Sequence, residues 1–276
     1  KMISNGTRVL TTGQSSTRCR SAEAGAQCPT ALEGSSGRLA RPRRTGDNRP
    51  MSGELLVVST PIGNLDDLSA RARRALEEAT AVACEDTRRT GLLLSRLGIR
   101  QRLISLHEHN EKRRLPQILE ILEEGGSVAL VSDAGTPLVA DPGFPLVRAA
   151  IAGGFRVTPL PGPSAVLAAL VASGLPPHPF TFLGFPPPKS GRRQRFFGRF
   201  AELDHTLVLY ESPHRLIASL GDALDVLGDR PAVVGREVTK LHEEWLRGSL
   251  AELRSELDRR PALKGEFVVV LGGRAG

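Results

Sequence analysis

From Gly53 onward, two different spacings of apolar and polar positions alternate along the chain. Short apolar runs predict buried strands, and apolar residues recurring every three or four positions predict amphipathic helices. In the first half, strands are predicted at 55–58, 81–84, 103–106, 127–131 and 155–160, and helices at 67–79, 90–97, 115–125, 145–152 and 164–172. This order is typical of βαβ units built around a mainly parallel sheet.

The second half continues in the same class after a stretch rich in turn-forming residues, 174–179, which we interpret as a linker. Strands are predicted at 180–185, 206–210, 232–235 and 267–271, and helices at 215–227 and 249–259. The sequence therefore predicts an α/β protein of two domains. These are an N-terminal domain with a parallel sheet over 53–175 and a smaller C-terminal domain with a mixed sheet over 180–276.

Residues 1–52 show neither spacing and are rich in Gly, Ser, Thr and Arg, so we expect a disordered leader. The apolar run of a signal peptide is missing, and an Arg-rich organellar transit peptide is the alternative interpretation. Residue 1 is Lys, and Met51 directly precedes the first predicted strand. We therefore expect residues 1–50 to be an upstream extension of the reading frame.

The net positive charge is concentrated in the leader, residues 1–52, and not in the rest of the chain, residues 53–276, which we call the body. Residues 1–52 carry nine basic and three acidic side chains, whereas residues 53–276 carry 28 basic and 27 acidic ones. The body is nearly neutral, so any contact with nucleic acid needs a local basic patch. Absence of a long apolar run argues against a membrane span. Cys84 is alone in the body, which excludes a disulfide framework there and favours a reducing, cytoplasmic location.

Polar or Gly/Pro-rich loops follow each of the first five predicted strands, and two more follow strands of the second half. Because ligands bind beyond the carboxyl ends of strands in open α/β sheets, these loops predict one cleft. The dinucleotide fingerprint is absent, Gly184–Ser190 lacks the second glycine of a phosphate-binding loop, and no nucleophile elbow occurs. The pair His107 and His109 lacks further ligand motifs, so we expect no metal. Small residues predict space for a compact small molecule.

Six segments carry a specific resemblance. They are STPIGNL at 59–65, EDTRRT at 85–90, SDAGTPLVADPG at 132–143, PGPSA at 161–165, YESPHR at 210–215 and GREVTK at 235–240. In this order they resemble the ribosomal RNA small subunit methyltransferase I family, within the tetrapyrrole methylases. The resemblance implies two α/β domains with S-adenosylmethionine in the interdomain cleft. It also implies 2'-O-methylation of a decoding-region cytidine of 16S rRNA in the small ribosomal subunit, by a homodimer.

The same resemblance implies which residues hold the cofactor: Pro61, Ala134, Gly135, Thr136, Val139, Ser164 and Ala165, with Glu211, Val238 and Thr239 from the second half. The first and fourth loops differ from the GxGPGD and GDP patterns usual in the superfamily, which separates this chain from corrin and siroheme methylases. Two alternatives stay open: a methylase of a tetrapyrrole or other small molecule, and a non-catalytic ribosome-binding protein that keeps the cleft.

A carboxylate near the transferred methyl group is the expected base, and Asp133, Glu85 and Asp86 lie at the ends of strands that lead to the cleft. Asp133 could instead form its own turn, and the other two could pair with neighbouring arginines.

One basic run, interleaved with phenylalanines, is the expected RNA contact. We expect contacts from Lys189, Arg192, Arg193 and Arg195 of this run, and from Arg88, Arg89, His107 and Lys240 around the cleft. The alternative is an ordinary solvated helix face whose phenylalanines belong to the core.

Overall fold

The computed structural model describes residues 53–274, which belong to one compact unit containing two five-stranded sheets. The predicted leader lies outside the described residues. The first sheet has the order β3-β2-β4-β1-β5 and is parallel throughout. Its strands are β1 Glu54–Val58, β2 Ala81–Cys84, β3 Leu103–Ser105, β4 Ser127–Val131 and β5 Arg156–Leu160.

Helices cover both faces of this sheet, and two hydrophobic clusters fill the space between helices and strands. Short polar side chains start three of the helices, because Ser69, Asp86 and Ser164 each accept a hydrogen bond from a backbone amide of the first turn. The helices are α1 Ala70–Glu78, α2 Thr87–Arg96, α3 Glu111–Glu123, α4 Phe144–Ala152 and α5 Ala165–Ser173.

The second sheet has the order β6-β7-β10-β8-β9 and is mixed, since β6 runs parallel to β7 and the other pairs are antiparallel. Its strands are β6 Phe180–Phe182, β7 Thr206–Glu211, β8 Pro231–Arg236, β9 Glu244–Ser249 and β10 Phe267–Leu271. Helices α6 Ser190–Gly198, α7 Leu216–Leu227 and α8 Leu250–Asp258 accompany it. The α/β class and the mixed second sheet are confirmed.

Strand β9 was not predicted, because its residues Glu-Trp-Leu-Arg-Gly-Ser contain no apolar run. It pairs with β8 alone and forms an edge of the sheet, where a strand needs little apolar character.

Helix α5 packs on the second sheet although it precedes the predicted linker. Val166, Ala169 and Leu170 join a hydrophobic cluster with Val208 and Val268 of the second sheet. One helix therefore links the first sheet to the face of the second, while the proposed domain boundaries stay a prediction. Within residues 53–274, no helix combines the length and the apolar character that crossing a membrane requires.

Candidate active site

A cavity of about 430 Å³ lies where the loops after the strands of the first sheet meet residues of the second sheet. Three carboxylates of the first half line it: Glu85, Asp133 and Asp141. The further lining residues are Ile62, Arg89, Ala134, Gly135, Thr136, Val139, Ala140, Ser164, Ala165, Phe185, Tyr210, Glu211, Ser212, Pro213, Val238 and 265–268. The loops after β1, β2, β4 and β5 contribute to this lining as predicted, whereas the loop after β3, residues 107–110, does not.

Eight of the ten predicted cofactor residues line this cavity: Ala134, Gly135, Thr136, Val139, Ser164, Ala165, Glu211 and Val238. Pro61 and Thr239 do not line it. Among the predicted bases, Asp86 is also outside the lining.

Three loops of the first half are joined by hydrogen bonds at the cavity floor. The Thr60 amide donates to the Gly135 carbonyl over 2.9 Å, and the Gly135 amide donates to the Thr60 carbonyl over 3.1 Å. The Thr136 hydroxyl donates to the Pro163 carbonyl at 3.2 Å and lies 3.1 Å from the Ser59 hydroxyl. Gly135 has φ +80°, which favours glycine. The backbone that borders the cavity is thus held in place before any ligand arrives.

Asp133 and Asp86 are both engaged by partners. Asp133 Oδ1 accepts the Asp86 amide at 3.2 Å, and Asp133 Oδ2 lies 3.2 Å from Arg89 Nη1. The Asp86 carboxylate caps α2 and accepts hydrogen bonds from the Arg88 amide at 2.8 Å and from Arg88 Nη2 at 2.7 Å. These bonds to Arg88 hold the pKa of Asp86 well below its usual range. Asp86 therefore acts as a helix cap and as an ion-pair partner, and of these two roles only the ion pair was weighed for it from the sequence.

Glu85 differs from both, because no hydrogen bond or ion pair reaches its carboxylate from residues 53–274. Partial burial raises its pKa, and the charges of Asp133 and Asp141 raise it further, against the opposing effect of Arg89. Burial likewise raises the pKa of Asp141, partly offset by a hydrogen bond from Ser132. Sequence reasoning did not single out Asp141, although it lies within the quoted 132–143 segment.

The part of the cavity lining that comes from the second sheet contains an unusual carboxylate. Glu211 is fully buried, and its Oε1 accepts the Ser212 amide at 2.8 Å and lies 2.9 Å from Arg215 Nη2. Glu211 Oε2 is buried and has no hydrogen-bond partner in the part of the chain that the structure describes. A buried acceptor without a partner is costly, so a ligand that donates a hydrogen bond there would be favoured.

Two aromatic rings of this part of the lining were not predicted. Burial raises the pKa of Tyr210 to about 12. The ring of Phe185 is 5.4 Å from that of Tyr210, and Phe185 is 54% exposed. Tyr210 lies in the quoted 210–215 segment, whereas nothing in the sequence marks Phe185.

The residues predicted to contact RNA are divided by the structure. Arg89 lines the cavity; Arg88, His107 and Lys240 lie outside its lining. Lys240 Nζ is 2.8 Å from Glu237 and 3.0 Å from Glu266, so its charge is compensated. Burial alone would lower the pKa of Lys240, but these two carboxylates outweigh burial and raise it.

Helix α6 corrects the expectation for Arg193, which is buried and bound to a carboxylate of α7. The phenylalanines of the run also face inward, since Phe197 is fully buried and Phe196 and Phe200 pack against the same cluster. Lys189, Arg192 and Arg195 are exposed. The aromatic rings thus belong to the core, as the alternative interpretation predicts, and RNA contact by the exposed basic face stays a prediction.

Comparisons with known proteins agree with this architecture. A profile of the family Tetrapyrrole (Corrin/Porphyrin) Methylases matches residues 54–254. "Ribosomal RNA small subunit methyltransferase I" of Mesorhizobium japonicum is 49% identical over 225 residues, 81% of this chain and 76% of that protein. The protein of the same name from Thermotoga maritima is 43% identical over 222 residues, 80% of this chain and 99% of that protein.

Two solved structures share the fold. A cobalt precorrin-4 methyltransferase has a TM-score of 0.60 at 17% identity, covering 79% of this chain and 94% of that one. The uroporphyrin-III C-methyl transferase of Thermus thermophilus complexed with S-adenosyl homocysteine has a TM-score of 0.56 at 21% identity, covering 80% and 97%.

Proposed function

We propose that this chain, which belongs to the ribosomal RNA small subunit methyltransferase I family of the tetrapyrrole methylases, methylates the ribose 2'-hydroxyl of a decoding-region cytidine in 16S rRNA. Membership of the family makes it an S-adenosylmethionine-dependent methyltransferase of ribosomal RNA. The cytidine, the 2' position and the decoding region are the proposal. From the same family we also propose a cytoplasmic homodimer.

The cavity fits S-adenosylmethionine in its chemistry. The unpartnered Glu211 Oε2 can accept a hydrogen bond, and the cofactor offers amine, ammonium and hydroxyl donors. Ala134 and Ala165 belong to the eight lining residues predicted for the cofactor, and their small side chains leave room for a compact ligand. When bound, the cofactor supplies an electrophilic methyl group on a sulfonium sulfur. We assign its binding to those eight residues.

The environment of Glu85 is the observation that supports proton transfer during methylation. Glu85 lines the cavity, has a raised pKa, and accepts no hydrogen bond from the described residues. A base must be free to accept a proton, and Asp133 and Asp86 are already engaged. We propose that the ribose 2'-hydroxyl gives its proton to Glu85 while its oxygen takes the methyl group. With the cofactor bound, its sulfonium sulfur would supply the methyl group and would keep the electron pair of the carbon–sulfur bond.

Asp133 has a supporting role in this proposal. Its two oxygens hold the Asp86 amide and the Arg89 guanidinium, so Asp133 positions the start of α2 and one cation at the cavity. Arg89 and the exposed face of α6 supply positive charge for the RNA phosphates. Corrin-type substrates would have no use for that face, which is why we favour RNA.

One experiment tests the proposed function directly. Tritiated S-adenosylmethionine is incubated with the protein and with small ribosomal subunits that lack the modification, and the RNA is then digested to nucleosides. We expect the label in 2'-O-methylcytidine. Label on a base, or labelling of a tetrapyrrole in place of RNA, would refute the proposal. Binding of cofactor without any transfer would favour the non-catalytic alternative.

A further inference from the structure

We infer that Phe185 is a stacking platform for an unpaired RNA base at the mouth of the cavity, and that α6 holds the adjoining phosphates. This inference rests on the proposed function, since it concerns how the RNA strand reaches the cavity. It starts from a correction: the phenylalanines of the basic run lie in the core, so stacking requires an aromatic ring elsewhere.

Phe185 has the position and exposure that such a platform needs. It lines the cavity and is 54% exposed, so it lies where the cavity meets solvent. Tyr210 supports it at a ring distance of 5.4 Å, and Phe182 in turn packs edge-on against Tyr210 at 5.0 Å. The exposed ring is therefore held by a row of aromatic neighbours.

The basic face begins close to this ring. Lys189 follows Phe185 by four residues, so the two lie at most roughly 14 Å apart along the chain. Three consecutive prolines, Pro186–Pro188, fill most of this distance and restrict the backbone. A few nucleotides of extended single-stranded RNA would span the distance from Phe185 to α6.

The exposed cations of α6 and of its C-terminal cap, Arg199, lie on one side of the helix, opposite to the buried Arg193. Arg192, Arg195 and Arg199 recur at intervals of three and four, which places them on one face, and all are exposed. Within residues 53–274, neither they nor Lys189 form an ion pair with a carboxylate. This contrasts with Lys240, whose charge is compensated. Uncompensated cations on the helix that follows an exposed aromatic ring in the chain are a combination suited to binding single-stranded RNA.

A stacking platform at the cavity mouth would help the target nucleotide to leave its RNA stack. A cytidine inside a folded RNA must leave its stack before its ribose can enter a cavity, and unstacking costs free energy. A base that stacks on Phe185 recovers part of that cost at the cavity mouth. The platform thus lowers the cost of presenting the ribose and leaves the methyl donor untouched.

The test compares three variants: Phe185→Ala, Phe185→Trp and, as the control, Phe144→Ala, which removes a similarly exposed ring from outside the cavity lining. We measure methyl transfer to small ribosomal subunits and, by calorimetry, the affinity for S-adenosylhomocysteine. We expect Phe185→Ala to lower kcat/KM for the subunits about tenfold or more, in line with the loss of one stacked base. Phe185→Trp should retain most activity, and Phe144→Ala should match the unmodified chain.

Two results would overturn the inference: Phe185→Ala with undiminished methyl transfer, or a loss of S-adenosylhomocysteine affinity in proportion to the loss of transfer. The second result would assign Phe185 to the cofactor. A failure of the proposed function looks different, since the unmodified chain would then not methylate subunits. Fluorescence anisotropy with a labelled oligocytidylate still tests the platform in that case. Weaker binding by Phe185→Ala than by Phe144→Ala would support it, and equal binding would overturn it.

Discussion

Arg193 Nη2 lies 2.6 Å from Asp222 Oδ2, and the two side chains are only 4% and 9% exposed. Asp222 also accepts hydrogen bonds from Ser190 Oγ at 2.8 Å and from Gln194 Nε2 at 2.9 Å, which fastens α6 to α7. The Arg193 guanidinium donates further to the Pro188 carbonyl at 3.1 Å. This cluster determines which face of α6 is buried and therefore which cations face solvent.

Arg193→Ala should destabilise the protein by about 3–5 kcal/mol, because it leaves the Asp222 carboxylate buried without its cation. Urea unfolding monitored by circular dichroism measures this loss. Arg192→Ala is the matched control one residue away, and its exposed side chain should change the free energy of unfolding by no more than about 0.5 kcal/mol. Equal effects of the two substitutions would contradict the assignment of Arg193 to the core.

Joint replacement of Arg192, Arg195 and Arg199 by Ala should weaken RNA binding without loss of stability. For every phosphate that is no longer neutralised by a cation, the slope of log affinity against log salt should fall by roughly 0.7–0.9. Filter binding with 16S rRNA over a range of salt concentrations gives the slope, and calorimetry with S-adenosylhomocysteine should show no change. An unaltered slope would make this face an ordinary solvated surface.

Gly135→Ala should impair both stability and cofactor binding. The new Cβ would lie 3.2 Å from Ile62 Cγ2, and the residue would keep φ +80° at a cost of roughly 1–2 kcal/mol. Gly154→Ala is a matched control, since Gly154 has φ +75° and its added Cβ meets no atom within 4 Å. Both variants should lose stability, and only Gly135→Ala should lose affinity for S-adenosylhomocysteine. Equal affinities would show that the Thr60–Gly135 pairing does not position the ligand.

A base must be ionised to accept a proton, and burial raises the pKa of Glu85. As the pH is lowered, methyl transfer should therefore already be lost above the ordinary glutamate pKa of about 4.3. Asp141→Asn removes a neighbouring negative charge that raises this pKa. The acid limb of the profile should therefore move to lower pH. Single-turnover rates across pH test the shift, with Asp258→Asn, an exposed carboxylate at the end of α8, as the control. An acid limb that does not move for Asp141→Asn argues against Glu85 as the base.

Glu85→Gln should abolish transfer and yet stabilise the fold at neutral pH. A carboxyl whose pKa is raised by folding binds more protons folded than unfolded, so its contribution to stability falls as pH rises from the unfolded value through the folded one. Glutamine has no such charge. The difference in melting temperature between Glu85→Gln and the unmodified chain should be positive at pH 7.5 and disappear near pH 4. Destabilisation at pH 7.5 would indicate that Glu85 has a favourable partner.

The order of strands and helices could be predicted from the sequence because spacing of apolar residues and turn chemistry are local properties. Strands β2 and β4 have the predicted bounds, and the loops after β1, β2, β4 and β5 border the cavity as predicted, whereas the loop after β3 does not. Strand β9 could not be found in this way, since an edge strand gains its place by pairing with β8 and not by its own apolar pattern.

What each polar residue does within the site was decided by the tertiary structure. The sequence by itself placed Asp133, Glu85 and Asp86 at the ends of strands that lead to the cleft, but it did not determine which of them is the base. The hydrogen bond from the Asp86 amide to Asp133 joins residues 47 positions apart, and it engages Asp133 while Glu85 stays free. Likewise the sequence determined a basic run, and only the packing of α6 on α7 separated buried Arg193 from exposed Arg192. Partners and burial are set by chain segments distant in sequence, and no local pattern records them.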